Sequence, residues 1–407
     1  MWRRWLISQI PSWKAQRPDT SLDQLLDFAV KHVPYYKQFK DYKTLTDFSF
    51  LTKDIIRKES KSLLTDDIQK RKWYYNTSGG STGEPIRLVQ DVQMSRYSKW
   101  VRAETHRWAG YQPGQRLIKL WGSSSESAQY KQLKAKVGLW IRNEIFLDTF
   151  ELSEEKICSY VGIINRFKPR LIVGYASSLY SISQYVLNHS IEIKDIGAIV
   201  SSAGTLYPEM RQAMENAFHC KVFNRYGSRE VTIVAAEDGS DKGLRVTPIA
   251  YVEVVRADGS PCEEGEIGEI VVTSLSNFAM PLIRYRIGDM GVLKKHGSQT
   301  YLEKVVGRTV ELFKTKDGRL IDGEYFTHLT YFKNWIKNFR FRQIDYDYIV
   351  IEIVLCSTHK PPENELSEVE ADVKKMMGDD VRINWKFVDS IEPLPSGKYV
   401  YTISDIK

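Results

Sequence analysis

Cysteine is scarce in this 407-residue chain, and its scarcity excludes two kinds of framework at once. The four cysteines, Cys158, Cys220, Cys262 and Cys356, lie far apart and form no Cys-x-x-Cys pair. Neither a disulfide scaffold nor a structural zinc site is therefore expected. Histidine is nearly as sparse, with seven residues scattered along the chain, which suits structural roles better than a ligand cluster. No apolar run reaches the length that crosses a bilayer, and Met1-Trp2-Arg3-Arg4-Trp5-Leu6-Ile7 is too short and too soon broken for a signal peptide. The expectation is a cytoplasmic protein with no transmembrane segment. Its first ten residues, rich in Trp and Arg, suit either packing on the domain or contact with a membrane surface. The net charge of +7 is spread out rather than gathered into a stripe, so nucleic acid is not an expected partner. Ser124 to Ser127 assemble into no Ser/His/Asp triad, and no repeat or low-complexity tract is visible.

What is present is ordinary in bulk and unusual in one place. Hydrophobic residues make up 42% and charged residues 27% of the chain, as in soluble globular proteins, and the length suits roughly two to three domains. The unusual stretch is Asn76-Thr77-Ser78-Gly79-Gly80-Ser81-Thr82-Gly83-Glu84-Pro85. Glycines let a phosphate approach the backbone, while hydroxyls and exposed N–H groups donate to anionic oxygens. The same composition also describes a flexible loop. No Gly-Lys-Ser/Thr follows at Walker spacing, which disfavours an ordinary P-loop kinase or ATPase.

Around this loop the pattern is α/β. A helix is predicted from Ser21 to Val33, and another carries Met94, Tyr97, Val101 and Trp108 on one face. Then come strand Leu117–Trp121, helices Ser127–Val137 and Ser153–Phe167, strand Leu171–Gly174, helix Ser178–His189, strand Ala198–Ser202, helix Pro208–Phe218 and strand Lys221–Asn224. Alternating units imply a parallel sheet covered by helices, with ligands beyond the carboxyl ends of its strands. Trp121-Gly122, Ser201-Ser202-Ala203-Gly204 and Asn224-Arg225-Tyr226-Gly227 would meet there. From Arg245 the texture turns to β-hairpins. After Gly307-Arg308 it becomes a small α+β unit, with a hairpin at Asp317-Gly318, a helix over Glu324–Asn338, alternation through Phe341–Leu355, a helix Glu363–Met377 and a strand Val381–Val388. The expected domains are residues 1–307 and 308–407.

The ordered series Ser78-Gly79-Gly80-Ser81-Thr82-Gly83, Tyr226-Gly227-Ser228-Arg229-Glu230, Tyr285-Arg286-Ile287-Gly288-Asp289, Gly307-Arg308 and Gly397-Lys398 resembles the adenylate-forming superfamily. Within it the chain is most similar to the phenylacetate:coenzyme A ligase family, especially the capsular-polysaccharide-biosynthesis branch. The resemblance implies a large ATP- and acyl-binding domain followed by a mobile C-terminal lid. It also implies formation of an acyl-adenylate from ATP, Mg2+ and a carboxylic acid, then transfer to coenzyme A or an amine. A non-catalytic nucleotide-binding scaffold of a polysaccharide assembly is the alternative.

Residue by residue, the resemblance assigns phosphate contact to Ser78–Gly83 and backbone contact with adenine and substrate to Ser202, Ala203 and Gly204. Asn224, Arg225, Tyr226, Gly227, Ser228 and Arg229 join them, with the Tyr226 ring on adenine and Arg229 on phosphate, on the acyl carboxylate or paired with Glu230. Glu230 would hold magnesium, Asp289 the ribose hydroxyls, and Arg308 ribose or phosphate beside the hinge. Lys398, in Pro393-Leu394-Pro395-Ser396-Gly397-Lys398, would stabilise charge as two anions meet. Trp121 and Gly122 would line the acyl pocket. Three positions depart from common family patterns: Gly204 where Glu is frequent, Arg229 where Thr or Ser is frequent, and Val310 where Asp or Lys marks the hinge. Some relatives carry a Cys/His cluster after the Tyr-Gly motif; Ala235-Ala236-Glu237-Asp238 has neither residue, and no zinc is expected.

Overall fold

Ser21 opens the first helix with a reciprocal cap. Its Oγ accepts from the Gln24 backbone N–H at 3.2 Å, and the Gln24 side-chain oxygen accepts from the Ser21 N–H at 2.9 Å. Helix α1 (Leu22–His32) then buries Leu25, Leu26 and Ala29. The computed structural model describes residues 18–77, 86–121, 133–149, 152–204, 206, 208–306, 312–330, 333, 335–356, 361–391 and 401–406. These fall into two units, one of residues 18–76 and 87–305, the other of residues 77, 86, 306 and from 312 onward.

In the first unit a short helix α2 (Lys53–Lys58) precedes a two-stranded ribbon, β1 (Trp73–Thr77) and β2 (Arg87–Asp91). Asp91 closes β2 and caps α3 (Val92–Trp108), its Oδ1 accepting from the Met94 N–H at 2.8 Å. Five parallel strands follow: β3 (Leu117–Trp121), β4 (Glu144–Asp148), β5 (Leu171–Tyr175), β6 (Ala198–Ser202) and β7 (Lys221–Ser228). Parallel neighbours need crossover connections, supplied by α4 (Leu133–Arg142), α5 (Glu154–Phe167), α6 (Ala176–Asn188) and α7 (Pro208–Phe218). Helices on both faces explain why Leu171-Ile172-Val173 and Ala198-Ile199-Val200 are continuously apolar and buried.

The hairpin region does not form a separate layer. β8 (Thr232–Glu237), β9 (Leu244–Val246), β10 (Ala250–Val255), β11 (Ile267–Ser274), β12 (Tyr285–His296) and β13 (Gln299–Val306) extend the parallel strands into one 11-stranded sheet of order β10-β11-β12-β13-β9-β8-β7-β6-β5-β3-β4. Two sequence expectations change here. The described part of the helix predicted at Ser127–Val137 starts at Leu133 and runs on to Arg142. The edge strand β4 was not expected; five residues, Glu144-Ile145-Phe146-Leu147-Asp148, are too few to declare a period, and pairing with β3 decides them.

The second unit carries a hairpin of β14 (Leu312–Lys314) and β15 (Leu320–Asp322), then α8 (Gly323–Thr330). Its four-stranded sheet has the order β18-β17-β16-β19, from β16 (Ile336–Asp345), β17 (Tyr348–Leu355), β18 (Arg382–Phe387) and β19 (Thr402–Ser404). Helix α9 (Glu363–Met377) sends Val369, Val373 and Met377 into a core with Phe313, Phe326, Phe341 and Ile351. The helix expected over Glu324–Asn338 is corrected: it ends at Thr330, and Ile336–Asn338 open β16. Ladder pairing to β17 overrides the helical spacing of Phe326, Leu329 and Ile336. No helix among the described residues is long and apolar enough to cross a membrane.

Candidate functional site

Strand register gathers the predicted residues on β3, β5, β6 and β7. Tyr175 pairs with Ser202 and Ser202 with Arg225, while Leu120 pairs with Gly174, which sets Trp121 beside Tyr175. The Trp121 and Tyr175 rings lie 4.2 Å apart between centroids. Ser202 Oγ donates to the Arg225 carbonyl at 3.3 Å, and Arg225 Nε lies 3.4 Å from that same Oγ. Trp121, Ser202 and Arg225 thus form one row at the carboxyl ends of the strands, as parallel-sheet geometry requires. Ala203 and Gly204 follow β6 and are exposed, Ala203 with a left-handed φ of 62°. A Cβ added at Gly204 would meet only Ala176 Cβ at 3.5 Å, so packing does not dictate glycine there.

One residue further along β7 the chain turns to the opposite face. Tyr226 donates its hydroxyl to Asp289 Oδ2 at 2.8 Å, joining the Tyr-Gly motif to β12. Gly227 sits at a register shift against β8, where an added Cβ would lie 2.0 Å from the Thr232 carbonyl oxygen. Only glycine fits this approach. Asn224, Tyr226 and Ser228 are half-buried and Arg229 is exposed. Glu230 is buried, its carboxylate accepting from the Tyr285 hydroxyl at 3.3 Å.

The arms of the glycine-rich stretch meet this same turn. Gln90 Nε2 donates to the Arg229 carbonyl at 2.8 Å, and Asn76 Nδ2 donates to Gln90 Oε1 at 3.0 Å. Ser78, Gly79, Gly80, Ser81, Thr82 and Gly83, with Gly122, Arg308 and Lys398, lie outside the described residues.

Beneath the row of Trp121 and Arg225 lies a group that sequence reading passed over. Arg225 Nη1 is 3.5 Å from His106 Nε2 on α3, and both residues are more than nine-tenths buried. Burial and the charges of Arg225, Arg102 and Lys119 hold His106 well below its ordinary range, so its ring is neutral at pH 7. Burial, with Arg102 adding, pushes the Arg225 guanidinium down to about 9. Lys119 is pushed down to about 8 by burial; Glu144 opposes this, while Arg102, Arg142 and Arg225 reinforce it. A visible signal did exist: Lys119 interrupts the otherwise apolar Leu117-Ile118-Lys119-Leu120-Trp121.

The CapK C-terminal domain model matches residues 313–405. Protein CapK of Staphylococcus aureus is 26% identical over 373 residues, covering 88% of this chain and 79% of that protein. The phenylacetate-coenzyme A ligase of Thermus thermophilus is 23% identical over 307 residues, covering 71% of this chain and 66% of that protein. The chain belongs to the adenylate-forming superfamily, on its CapK branch. The solved structure of 2-hydroxyisobutyryl-CoA ligase, in complex with 2-HIB-AMP and CoA in the thioesterification state, shares the fold. Its TM-score is 0.60 at 17% identity, over 94% of this chain and 88% of that one.

Two features bear on whether this superfamily member can hold a nucleotide and its metal. Ser201, Ser228 and Thr232 each bury a hydroxyl with no hydrogen-bond partner, donors of the kind that phosphate or ribose oxygens satisfy. No group of three or more His, Cys, Asp or Glu side chains placed to hold a metal is found among the described residues. A magnesium ion at Glu230 would thus complete its shell with phosphate oxygens and water, which suits that ion.

Proposed function

We propose that the chain is an ATP-dependent, AMP-forming ligase that activates a carboxylic acid as its acyl-adenylate and transfers the acyl group to coenzyme A or an amine. The observation that carries this reading is the 2.8 Å contact from the Tyr226 hydroxyl to the Asp289 carboxylate. It unites two motifs 63 positions apart beside the turn on which the arms of the glycine-rich stretch are anchored. In this reading the Asp289 carboxylate accepts from ribose hydroxyls while the Tyr226 ring stacks on adenine. Ser78–Gly83 would cradle the phosphates, with Ser202, Ala203, Gly204, Asn224 and Ser228 contributing along the nucleotide and Arg308 at its sugar. Glu230 would hold magnesium, which screens phosphate charge when bound.

In the first half-reaction an oxygen of the acid attacks the α-phosphorus, and pyrophosphate departs with the electrons of the broken P–O bond. Lys398 supplies the positive charge that lets the two anions approach. In the second, a thiol or amine attacks the acyl carbon and AMP leaves, while the acceptor's proton passes to solvent. Residues 308–407 act as a lid that presents Lys398 for the first step and withdraws it for the second. Coenzyme A as acceptor is supported by the phenylacetate-coenzyme A ligase relatives. A place in polysaccharide biosynthesis follows the resemblance to the capsule-type branch, where an amine acceptor is equally suited. ATP–pyrophosphate exchange, screened over aryl, fatty, amino and sugar acids with hydroxylamine as trap, tests the reading. Exchange with one class of acid and formation of its hydroxamate are expected. Absence of exchange with every class of acid would overturn it in favour of a non-catalytic scaffold.

A further inference from the structure

Lys119 occupies a position that the sheet otherwise reserves for apolar side chains. It pairs across the sheet with Phe146 and Val173, and Val173 pairs on with Val200 and Val200 with Phe223. Val173 and Val200 belong to the buried cluster of Ala109, Tyr111, Leu117, Leu171 and Ala198, against which Phe223 packs. One row nearer the strand ends lies Arg225, 8% exposed, against His106, 6% exposed. Lys119, Arg225 and His106 make no ion pair with a carboxylate among the described residues. The acidic group whose field favours the Lys119 charge is Glu144, and its Oε2 already accepts from Arg142 Nε at 3.0 Å. Arg102, one helical turn before His106 on α3, adds a further positive charge nearby.

A buried cation without a counter-ion is strongly disfavoured, and an apolar side chain at the same place carries no such penalty. Arg225 is such a cation, and Lys119, half-buried on the same face of the sheet, adds its positive charge nearby; the two make sense where a ligand brings the missing charge. We propose that Lys119 and Arg225 form the far end of the acid-binding pocket and take a second anionic group, carboxylate or phosphate ester, on the acid to be activated. This rests on the adenylating reading above. Arg225 offers a planar fork for two oxygens of the anion, Lys119 a compact point charge, and the neutral His106 ring holds the guanidinium in position. A fatty or simple aryl acid would leave both cations unpaired; a dicarboxylic or phosphorylated acid neutralises them.

The test compares chain-matched pairs, succinate against butyrate and adipate against hexanoate, with inorganic phosphate alongside, at equal ionic strength on the full-length protein. Thermal melting is read first, because it needs no catalysis. The dianions should raise Tm by about 2–4 °C, the monoanions should leave it in place, and Lys119→Met should lose the response. Without ligand, Lys119→Met should melt higher than wild type, since it removes a half-buried charge that has no carboxylate partner among the described residues. Pyrophosphate release with ATP is read second: dicarboxylates should exceed their monoacid partners about tenfold or more in kcat/KM, a ratio that collapses in Lys119→Met. Equal responses to monoanions and dianions in wild type, or a dianion response that survives Lys119→Met, would overturn the pocket. Pyrophosphate release from monoacids alone sinks the pocket and keeps the ligase. A dianion-dependent Tm rise without any pyrophosphate release sinks the ligase and keeps the pocket. Should Lys119→Met fail to fold, Lys119→Gln removes the charge and supplies the same readouts.

Discussion

Tyr226 donates to Asp289 across two strands, so the proposed ribose site depends on both residues. Removing the Asp289 carboxylate deletes a charged acceptor, a loss on the order of 1.5–3 kcal/mol. Asp289→Ala is accordingly expected to weaken ATP and AMP binding by about 10–100-fold in calorimetry. Equal affinities would remove Asp289 from the nucleotide site. Lys119 yields a prediction in pH. Its folded-state value is about 8 against an ordinary 10.5, so between those limits the unfolded chain keeps a proton that the folded chain has released. Stability attributable to this residue therefore rises with pH through that window, and its cost is complete below about pH 8. The advantage of Lys119→Met in Tm should be full at pH 7 and shrink steadily towards pH 10. A difference that stays constant across that range would show that Lys119 carries no such cost.

At the scale of elements, β7 does two jobs by alternation: Arg225 faces the row of Ser202 and Trp121, and Tyr226 faces β12. The register shift at Gly227 ends that alternation, and the 2.0 Å approach of the Thr232 carbonyl leaves no room for a side chain. Gly227→Ala should destabilise the first unit by at least about 2–3 kcal/mol, seen as lost soluble yield or a lowered denaturant midpoint; an unchanged midpoint would mean that β8 yields freely. This glycine was legible as part of a motif, but its reason was not, because Thr232 reaches it only through the hairpin. The same boundary recurs elsewhere. Strand Leu117–Trp121 and helix Glu154–Phe167 were readable because their period and their cap at Ser153 are local. β4 and the start of β16 were not, because pairing with β3 and β17 decides them. Lys119, His106 and Gln90 escaped for the same cause: a lysine or glutamine in a strand is ordinary until register shows what stands beside it.

For the molecule as a whole, the proposal requires two half-reactions with opposite needs at the α-phosphate, cationic charge in the first and open access in the second. A single lysine on residues 308–407 meets both needs if that segment moves between steps, and Lys398 is the residue on which this turns. Lys398→Ala should lower acyl-adenylate formation by about 100-fold or more, the scale on which removal of one preorganised charge acts. ATP affinity should change little, because the ribose acceptor Asp289, the adenine contacts and most phosphate contacts are assigned to residues before 307. The second half-reaction supplies the control. Given the preformed acyl-adenylate of a good substrate acid, the variant should transfer the acyl group to hydroxylamine at close to the wild-type rate. Loss of both half-reactions together would mean that Lys398 positions the nucleotide throughout the cycle. Retention of both would take it out of the chemistry and remove the reason for a lid that presents and withdraws it.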